Sequence, residues 1–382
     1  MHFIEDATAI ERTLIDRAAQ ACSPINGSIE ITPICNMNCD MCYVRLSPAE
    51  VARQGRLRTV GEWLEIARQM RDAGTLFLLL TGGEPLTYPD FRRLYLEIQK
   101  LGMLITINTN GTMIDEDWAA FFGEYKPRRI NITLYGPDEE TYASLCHFPG
   151  GFARTVDAIR LLRSHGVEVR VSISVTPQNA PHVDRMTALA RELGAAVLVD
   201  TYMMPAARER SLPFDQQSRL TPEEAAAARI RALKQEMPSG KFAQFVMESI
   251  WAAQHILPDS GPNKMHCLAG SCSFTVNWQG QMRPCVILNQ PSASVLSQGF
   301  EDAWQHIRAE VEKITLSGKC GSCRLRMLCR TCAASALLET GRYDGTPDYM
   351  CRYAAQSFRL LLKEAGELAR AEAKGRKDDT IK

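Results

Sequence analysis

The stretch SIEITPICNMNCDMCY, residues 28–43, decides which fold the chain can adopt. It begins with a strand predicted over Ile29–Pro33, where β-branched side chains suit a buried position. Three cysteines follow at once in the pattern C-x3-C-x2-C, at Cys35, Cys39 and Cys42. Three thiolates on one short loop can bind three irons of a [4Fe-4S] cluster and leave the fourth iron open to a non-protein ligand. A zinc site completed by a distant histidine is the alternative that spacing leaves open.

Strand-like and helix-like segments alternate from residue 28 to residue 204. Six βα units in a row predict an α/β fold with a parallel sheet and helices outside it. The predicted strands are Ile29–Pro33, Leu76–Thr81, Leu104–Thr109, Arg129–Leu134, Glu168–Val175 and Ala196–Thr201, and the amphipathic segments between them are Val60–Ala73, Asp90–Leu101, Gly151–His165 and Ala180–Leu193.

The second predicted strand ends in Thr81-Gly82-Gly83-Glu84-Pro85. Two glycines allow a ligand to approach the backbone closely, and the Glu84 carboxylate suits an ammonium group. This segment and the cysteine loop both follow the C-terminal ends of strands, where parallel α/β sheets place their ligand sites. The two motifs are therefore expected to form one site.

Together, CNMNCDMCY and GGEP resemble the signature of radical S-adenosylmethionine (SAM) enzymes. The resemblance implies a partial (β/α)6 barrel in which SAM chelates the open iron. It further implies that SAM is cleaved to a 5′-deoxyadenosyl radical, which abstracts a hydrogen atom from the substrate. The implied SAM contacts are Tyr43, Gly82, Gly83, Glu84, Asn110 and Thr133. For Asn110 and Thr133, capping of a strand end is the alternative role.

Eight further cysteines lie between residues 267 and 351. Eight thiolates can close two four-ligand clusters or two structural zinc sites. Their spacing, with Gly280 before Cys285, resembles the SPASM extension of radical SAM enzymes, although two residues separate Cys329 from Cys332 where the family usually has three. The resemblance implies three [4Fe-4S] clusters in all. The inner auxiliary cluster would use Cys267, Cys272, Cys285 and Cys332, and the outer one Cys320, Cys323, Cys329 and Cys351.

Of the 13 cysteines, two remain outside these sets. Cys22 ends an N-terminal helix and is interpreted as a small buried residue. Cys146 lies in a segment that follows strand four, near SAM, in related enzymes. A thiol there could give a hydrogen atom to a substrate radical, so Cys146 is the candidate catalytic residue and a packing role is its alternative. His147 is interpreted as a turn residue.

The chain of 382 residues is expected to have five segments. In the segment 205–261, Thr221 and Glu224 form a capping-box pattern that begins a helix. The segments are an N-terminal helix (1–27), the radical SAM partial barrel (28–204), a helical linker (205–261), a small cysteine-rich SPASM domain (262–352), and a C-terminal helix and tail (353–382).

Charge and composition narrow the range of partners. Lys plus Arg equals Asp plus Glu, at 44 each, so the chain lacks the basic excess of a nucleic-acid-binding protein. The N-terminus lacks the apolar region of a signal peptide, and the longest apolar run, Leu76–Leu80, is too short to span a membrane. We therefore expect a cytoplasmic protein, in a compartment where clustered cysteines bind metal rather than form disulfides.

The SPASM resemblance implies a peptide or protein substrate. Sulfatase-maturing members carry an acidic base after the third inner cysteine, and here Val286 follows Cys285, which disfavours formylglycine formation. The prediction is an oxidative maturase that forms a thioether or carbon–carbon crosslink in a ribosomal peptide, with a flavodoxin- or ferredoxin-type electron donor. Residues 1–27 are too few for a leader-binding domain, so a separate protein or the barrel surface would recognise a leader.

Three other functions stay open at this point. A redox-neutral peptide epimerase would use Cys146 as its hydrogen-atom donor. A radical SAM enzyme could instead act on a small molecule such as a sugar or an amine. An iron–sulfur carrier or scaffold would bind clusters without radical chemistry.

Overall fold

The computed structural model describes residues 8–205, 208–212, 216–255, 263–329 and 331–379. The start of the predicted N-terminal helix, parts of the predicted loop at 205–215, the predicted boundary between 261 and 262, and the last three residues lie outside these ranges.

Within the described ranges, nine strands form a single sheet in the order β6-β5-β4-β3-β2-β1-β7-β8-β9. Strands β1 to β6 are all parallel, which confirms the predicted parallel sheet. The strands are β1 (Asn26–Thr32), β2 (Phe77–Gly82), β3 (Leu104–Thr109), β4 (Arg129–Thr133), β5 (Val169–Ser174), β6 (Ala196–Asp200), β7 (Ser273–Val276), β8 (Gln281–Arg283) and β9 (Ala293–Ser294).

The helices follow the strands as the alternating pattern predicts, and several begin at capping boxes, including the predicted one at Thr221 and Glu224. In chain order they are α1 (Ala9–Ala21), α2 (Pro48–Gln54), α3 (Val60–Asp72), α4 (Phe91–Gln99), α5 (Glu116–Glu124), α6 (Glu139–Cys146), α7 (Gly151–Ser164), α8 (Val183–Glu192), α9 (Pro222–Glu236), α10 (Ser239–His255), α11 (Val295–Gln298), α12 (Phe300–Lys313), α13 (Gly318–Gly321), α14 (Ala333–Thr340) and α15 (Asp348–Asp379).

The two faces of the parallel sheet differ in polarity because side chains alternate along each strand. On β4, Ile130 and Ile132 are fully buried in the apolar core between sheet and helices. Asn131 and Thr133 alternate with them and face the inside of the barrel, where the Asn131 amide donates to Asn108 Oδ1 on β3 at 2.7 Å. The inside of the partial barrel is therefore polar.

The cysteine-rich segment continues the sheet of the barrel. Strand β7 pairs in parallel with β1, and β8 and β9 follow in antiparallel order. Helix α15 packs against α9 and α10, and its helical backbone runs to Asp379, through most of the segment predicted as a C-terminal helix and tail. None of the helices in the described part of the chain combines the length and the apolar character needed to cross a bilayer.

Candidate active site

The first three motifs of the sequence meet at the C-terminal edge of the sheet. The cysteine loop follows β1, GGEP follows β2, and Thr109-Asn110-Gly111-Thr112 follows β3. Since β2 lies between β1 and β3, neighbouring strand ends bring all three motifs together. The predicted convergence is present in the structure.

The two glycines of GGEP dock the second motif onto the first. The Gly83 amide donates to the Thr32 carbonyl at 2.7 Å, and the Glu84 amide donates to the Ile34 carbonyl at 2.9 Å. A Cβ on Gly83 would lie 2.5 Å from the Ile34 carbonyl oxygen, and Gly82 has a φ of 144°, which side chains rarely adopt. These positions need glycine because the backbone that leads into Cys35 occupies the space of a side chain.

The Glu84 carboxylate is fully buried and ties GGEP to the end of β3. Its Oε1 accepts from Thr109 Oγ1 at 2.8 Å and from the Leu86 amide at 3.0 Å, and its Oε2 accepts from the Asn110 amide at 2.8 Å. Burial raises the pKa of Glu84 to about 7, although these three donors act in the opposite direction. The carboxylate therefore fixes the loop, and its contact with an ammonium group stays a prediction.

Glu84→Gln should remove a pH dependence of stability. The folded pKa of about 7 lies above the ordinary 4.5, so the folded state binds the proton more tightly and gains stability as pH falls from 8 to 5. Between pH 8 and pH 5, the free energy of unfolding of wild type should rise relative to that of the variant by at most about 3 kcal/mol. Thermal midpoints of both proteins across this range measure it.

Glu50→Gln is the matched control, because hydrogen bonds from Ser47 hold the pKa of the partly buried Glu50 below its usual value, so its difference from wild type should stay flat over the same range. A Glu84 difference that is also flat, or that grows as pH rises, would contradict the expected direction.

Asn110 holds the cysteine loop from the β3 side. Its Nδ2 donates to Asn36 Oδ1 at 2.8 Å and lies 3.8 Å from Cys35 Sγ. The Asn36 amide in turn donates to Thr112 Oγ1 at 2.9 Å. Asn36 and Thr112 were absent from the predicted site, although the repeated Asn and Thr of these loops are the signal that could have indicated them.

Backbone amides surround the sulfur atoms of the cysteine loop. The Met37 amide donates to Cys35 Sγ at 3.4 Å, and the Arg45 amide donates to Cys42 Sγ at 3.4 Å. Burial raises the pKa of the Cys35 thiol to about 12, so the metal-free thiol holds its proton and gives it up when iron binds. Amides directed at sulfur and three thiols on one loop suit the cluster that the sequence predicts.

Three other predicted residues lie around this loop. Thr133 ends β4 and is partly buried. The Arg208 guanidinium lies over the Tyr43 ring, 5.3 Å from the ring centroid, and it also donates to the Val286 carbonyl, next to Cys285. Cys146, the last residue of α6, is fully buried, and its carbonyl accepts from the backbone amide of Asn38, next to Cys39, at 3.0 Å. Tyr43 and Cys146 thus both lie beside the cysteine loop.

The predicted inner auxiliary set is brought together in part. Cys267, Cys285 and Cys332 are mutual neighbours. Cys272 is fully buried at the start of β7 and packs against α1, with Cys22 and Cys267 as neighbouring thiols. The thiols of these residues are thus near enough to interact electrostatically, and their role as one ligand set stays a prediction.

The predicted outer auxiliary set surrounds a cavity of about 160 Å³. Within the described ranges, no three side chains of His, Cys, Asp or Glu converge as they would on a single metal ion. The thiolates of a four-iron cluster bind different irons and stand around a volume. The cavity is lined by all four predicted residues, Cys320, Cys323, Cys329 and Cys351.

A buried ion-pair network, which no sequence motif indicated, joins the barrel to the cysteine-rich segment. Arg208 donates to both oxygens of Glu30 on β1, at 2.7 and 2.8 Å, and also to the Val286 carbonyl. Glu209 pairs with Arg208 at 2.7 Å and with Arg283 on β8 at 3.4 Å. A charged residue inside the strand Ile29–Pro33 was the one signal that could have indicated it.

Comparisons with known proteins agree with this geometry. The family described as the radical SAM superfamily matches residues 29–190. AdoMet-dependent heme synthase of Methanosarcina barkeri is 26% identical, over 82% of this chain and 92% of that protein. The subtilosin biosynthesis protein AlbA of Bacillus subtilis is 25% identical, over 80% of this chain and 68% of that protein.

A solved structure shares the fold. The crystal structure of Streptococcus suis SuiB bound to precursor peptide SuiA superposes with a TM-score of 0.64 at 16% identity, and covers 89% of this chain and 79% of that one. The cysteine loop, GGEP and strands β2 to β5 lie inside the matched residues. Residues 29–190 therefore match the radical SAM superfamily, and the chain resembles the SPASM-type members of that superfamily.

Proposed function

We propose that the protein is an oxidative peptide maturase. It would cleave SAM reductively at a cluster held by Cys35, Cys39 and Cys42, and abstract a hydrogen atom from a peptide that then forms a thioether or carbon–carbon crosslink. The observation that carries this proposal is the position of Arg208, which lies over the ring of Tyr43, next to Cys42 of the radical site, and donates to the carbonyl of Val286, next to Cys285 of the auxiliary region. Such an arrangement suits an oxidation, because the electron left after hydrogen abstraction needs a nearby acceptor.

The inside of the barrel supports a peptide substrate. Hydroxyl and amide side chains can pair with peptide N–H and C=O groups, which are obligatory hydrogen-bonding groups. SuiB, which shares this fold, was crystallised with a precursor peptide, and AlbA takes part in bacteriocin biosynthesis. The polar residues that alternate with core residues on the inner face are Ser28, Asn108, Asn131, Thr133 and Ser172.

Three [4Fe-4S] clusters are part of the proposal. The loop after β1 would hold the first, and the two groups of cysteines between 267 and 351 would hold the auxiliary clusters. The 160 Å³ cavity among the outer cysteines supports the third of these sites. When bound, the auxiliary clusters would supply one-electron acceptors.

The surface near the outer cysteines supports an electron-carrier partner. The segment from Ser317 to Cys329 contains three basic residues and no acidic residue. Lys319 and Arg324 are exposed, and Met327 is 69% exposed. An acidic flavodoxin or ferredoxin complements such a surface. The proposal also includes a separate leader-binding protein and a cytoplasmic location, where thiols stay reduced.

A second candidate function comes from the heme synthase relatives. The Methanosarcina barkeri protein aligns over 92% of its own length, compared with 68% for AlbA. Haem is a tetrapyrrole, so this candidate makes the substrate a small molecule rather than a peptide. The epimerase alternative needs a thiol that reaches the substrate, whereas Cys146 is fully buried.

Anaerobically reconstituted protein should contain about 12 irons per chain, as three four-iron clusters require. With SAM and dithionite or reduced flavodoxin it should release 5′-deoxyadenosine, and Cys35→Ala should release none. Chromatography of the products and iron analysis measure the two quantities.

A peptide that loses two hydrogens identifies the maturase, and a haem spectrum that develops from a tetrapyrrole precursor identifies the second candidate. Iron near four with zinc present, or no 5′-deoxyadenosine, would refute the proposal.

A further inference from the structure

Tyr202, Gln217 and Arg219 each carry a buried polar atom that has no hydrogen-bond partner among the residues that the structure describes. The atoms are the Tyr202 hydroxyl, Gln217 Oε1 and Arg219 Nε. Tyr202 is 6% exposed, and the side chain of Arg219 is 8% exposed. Buried polar groups are nearly always hydrogen-bonded in folded proteins, and each exception costs stability. Three such atoms on neighbouring residues therefore point to a group that they bind.

The three residues are held close together at the end of β6. Tyr202 follows this strand by two residues, and its ring centroid lies 5.5 Å from the Arg219 guanidinium carbon. The Arg219 amide donates to the Gln217 carbonyl at 2.9 Å, which closes a tight three-residue turn. The Ser218 hydroxyl, in the middle of this turn, donates to Gln178 Oε1 at 2.7 Å. Since Gln178 follows β5, the turn packs across the ends of both strands.

Other contacts fix the Arg219 guanidinium in this place. Its Nη2 donates to Glu339 Oε1 on α14 at 2.8 Å, and its guanidinium carbon lies 4.0 Å from the centroid of the Tyr349 ring on α15. The Tyr349 hydroxyl in turn donates to the Leu220 carbonyl at 2.8 Å. The charge of Arg219 is therefore neutralised by Glu339, and its Nε–H is held in a fixed direction.

This group of residues lies at the same edge of the sheet as the radical site. Strands β5 and β6 run parallel to the other barrel strands, so their C-terminal ends lie at that edge. Gln178, which accepts from Ser218, also donates to Asp40 Oδ2 at 3.2 Å. Asp40 lies between Cys39 and Cys42 in the cysteine loop. A substrate bound at the radical site can therefore also contact the turn.

The unpartnered atoms match the hydrogen-bonding groups of an amide. Tyr202 O–H and Arg219 Nε–H are donors, and the carbonyl oxygen of an amide has two lone pairs that can accept from both. Gln217 Oε1 is an acceptor, to which an amide N–H can donate. A carboxylate matches less well, because it has no donor for Gln217 and because Glu339 already neutralises Arg219.

A ligand reaches these buried atoms only if the turn moves. Two side-chain hydrogen bonds hold the turn in place, from Ser218 to Gln178 and from Gln217 Nε2 to the Leu212 carbonyl at 2.9 Å. The turn belongs to no helix or strand, so its movement breaks few backbone hydrogen bonds. The unpartnered atoms destabilise the closed arrangement, which favours opening when a ligand can pair with them.

We propose that Tyr202, Gln217 and Arg219 form a binding site for an amide group of the substrate, which is either a backbone peptide group or a side-chain carboxamide. The Tyr202 and Arg219 donors pair with the carbonyl oxygen, and Gln217 Oε1 accepts from the N–H. This inference rests on the peptide substrate of the proposed function, and it names the chemical group by which the end of β6 recognises that peptide.

The test is calorimetric titration of anaerobic reconstituted holoenzyme with three tripeptides that are acetylated at the N-terminus and methylamidated at the C-terminus. Their sequences are Gly-Gly-Gly, Gly-Gln-Gly and Gly-Glu-Gly. Wild type should bind at least one of the two neutral peptides, and Tyr202→Phe should bind it roughly three- to tenfold more weakly, the range of one hydrogen bond. Tighter binding of Gly-Gln-Gly than of Gly-Gly-Gly assigns the site to a side-chain carboxamide, and otherwise it binds a backbone peptide group.

Tyr349→Phe is the matched control, because the Tyr349 ring packs on that of Tyr202 while its hydroxyl already donates to the Leu220 carbonyl. It should lower the thermal midpoint and leave the peptide affinity unchanged. Tyr202→Phe should not lower the midpoint, because the hydroxyl that it removes has no partner in the structure.

Three results would overturn the inference: no binding of either neutral peptide by wild type, tighter binding of Gly-Glu-Gly than of both neutral peptides, or equal affinity of wild type and Tyr202→Phe. A midpoint that falls as far in Tyr202→Phe as in Tyr349→Phe would overturn it as well. If Tyr202→Phe does not fold, Gln217→Met, which removes the acceptor, should weaken binding in its place, and an unchanged affinity there overturns the inference. The titrations need no SAM cleavage, so they stay informative if the proposed maturase reaction is not observed.

Discussion

Gly83→Ala should abolish SAM cleavage, with a loss of at least 100-fold in the rate of 5′-deoxyadenosine release. The added Cβ would lie 2.5 Å from the Ile34 carbonyl oxygen and 2.8 Å from the carbonyl carbon. Contacts this short with backbone cannot be relieved by rotating a side chain. The loop that leads into Cys35 must therefore move, and small displacements of reacting groups cost about 100-fold in rate.

The same substitution should spare the fold. The Gly83 loop lies at the C-terminal end of β2, whereas the apolar core lies between the sheet and its helices. Far-UV circular dichroism should stay unchanged while iron content and SAM-dependent changes in the EPR signal fall. Gly240→Ala is the matched control, since a Cβ at this position on α10 meets no atom within 4 Å. A Gly83→Ala protein with wild-type rates would show that GGEP does not set the geometry of the cysteine loop.

The six parallel strands were predictable from sequence because the βα unit repeats along this part of the chain. Leu104–Thr109 has the predicted bounds, and the other five parallel strands differ from prediction by a few residues at their ends. Strand β1 begins earlier than predicted, at Asn26, because its first residues pair with β2 and with β7. The extension of the sheet was missed, since β8 and β9 are too short to show a period and lie among cysteines.

The candidate site was likewise predictable only in part. The convergence of the cysteine loop with GGEP followed from a topological rule, because both end neighbouring parallel strands. The contact of the cysteine loop with Cys146 had no local signal, since it joins residues more than a hundred positions apart through the packing of α6. Arg208 likewise reaches Glu30 across 178 positions. Long-range pairs of this kind depend on tertiary packing that a single sequence does not display.

Arg208→Met should destabilise the protein by about 3–5 kcal/mol, as removal of one partner from a buried ion pair does. The side chains of Arg208 and Glu30 are 2% and 3% exposed, so the substitution leaves the Glu30 carboxylate in the interior without its bidentate partner. It also removes the donor to the Val286 carbonyl, next to Cys285, and the cation over the Tyr43 ring. Thermal and urea unfolding of anaerobic holoenzyme measure the loss of stability.

The double variant Glu30→Gln with Arg208→Met should recover part of that stability, because no uncompensated charge then stays buried. Arg185→Met is the matched control. Arg185 pairs with Asp138 at 3.3 Å, but the two side chains are 61% and 40% exposed, and such surface pairs contribute about 0–1 kcal/mol. Equal effects of Arg208→Met and Arg185→Met would mean that the network is not a source of stability. A large Arg208 effect accompanied by loss of iron at the auxiliary cysteines would instead show that this network positions Cys285 relative to the barrel, since Arg208 is the residue that contacts β1 and Val286 together.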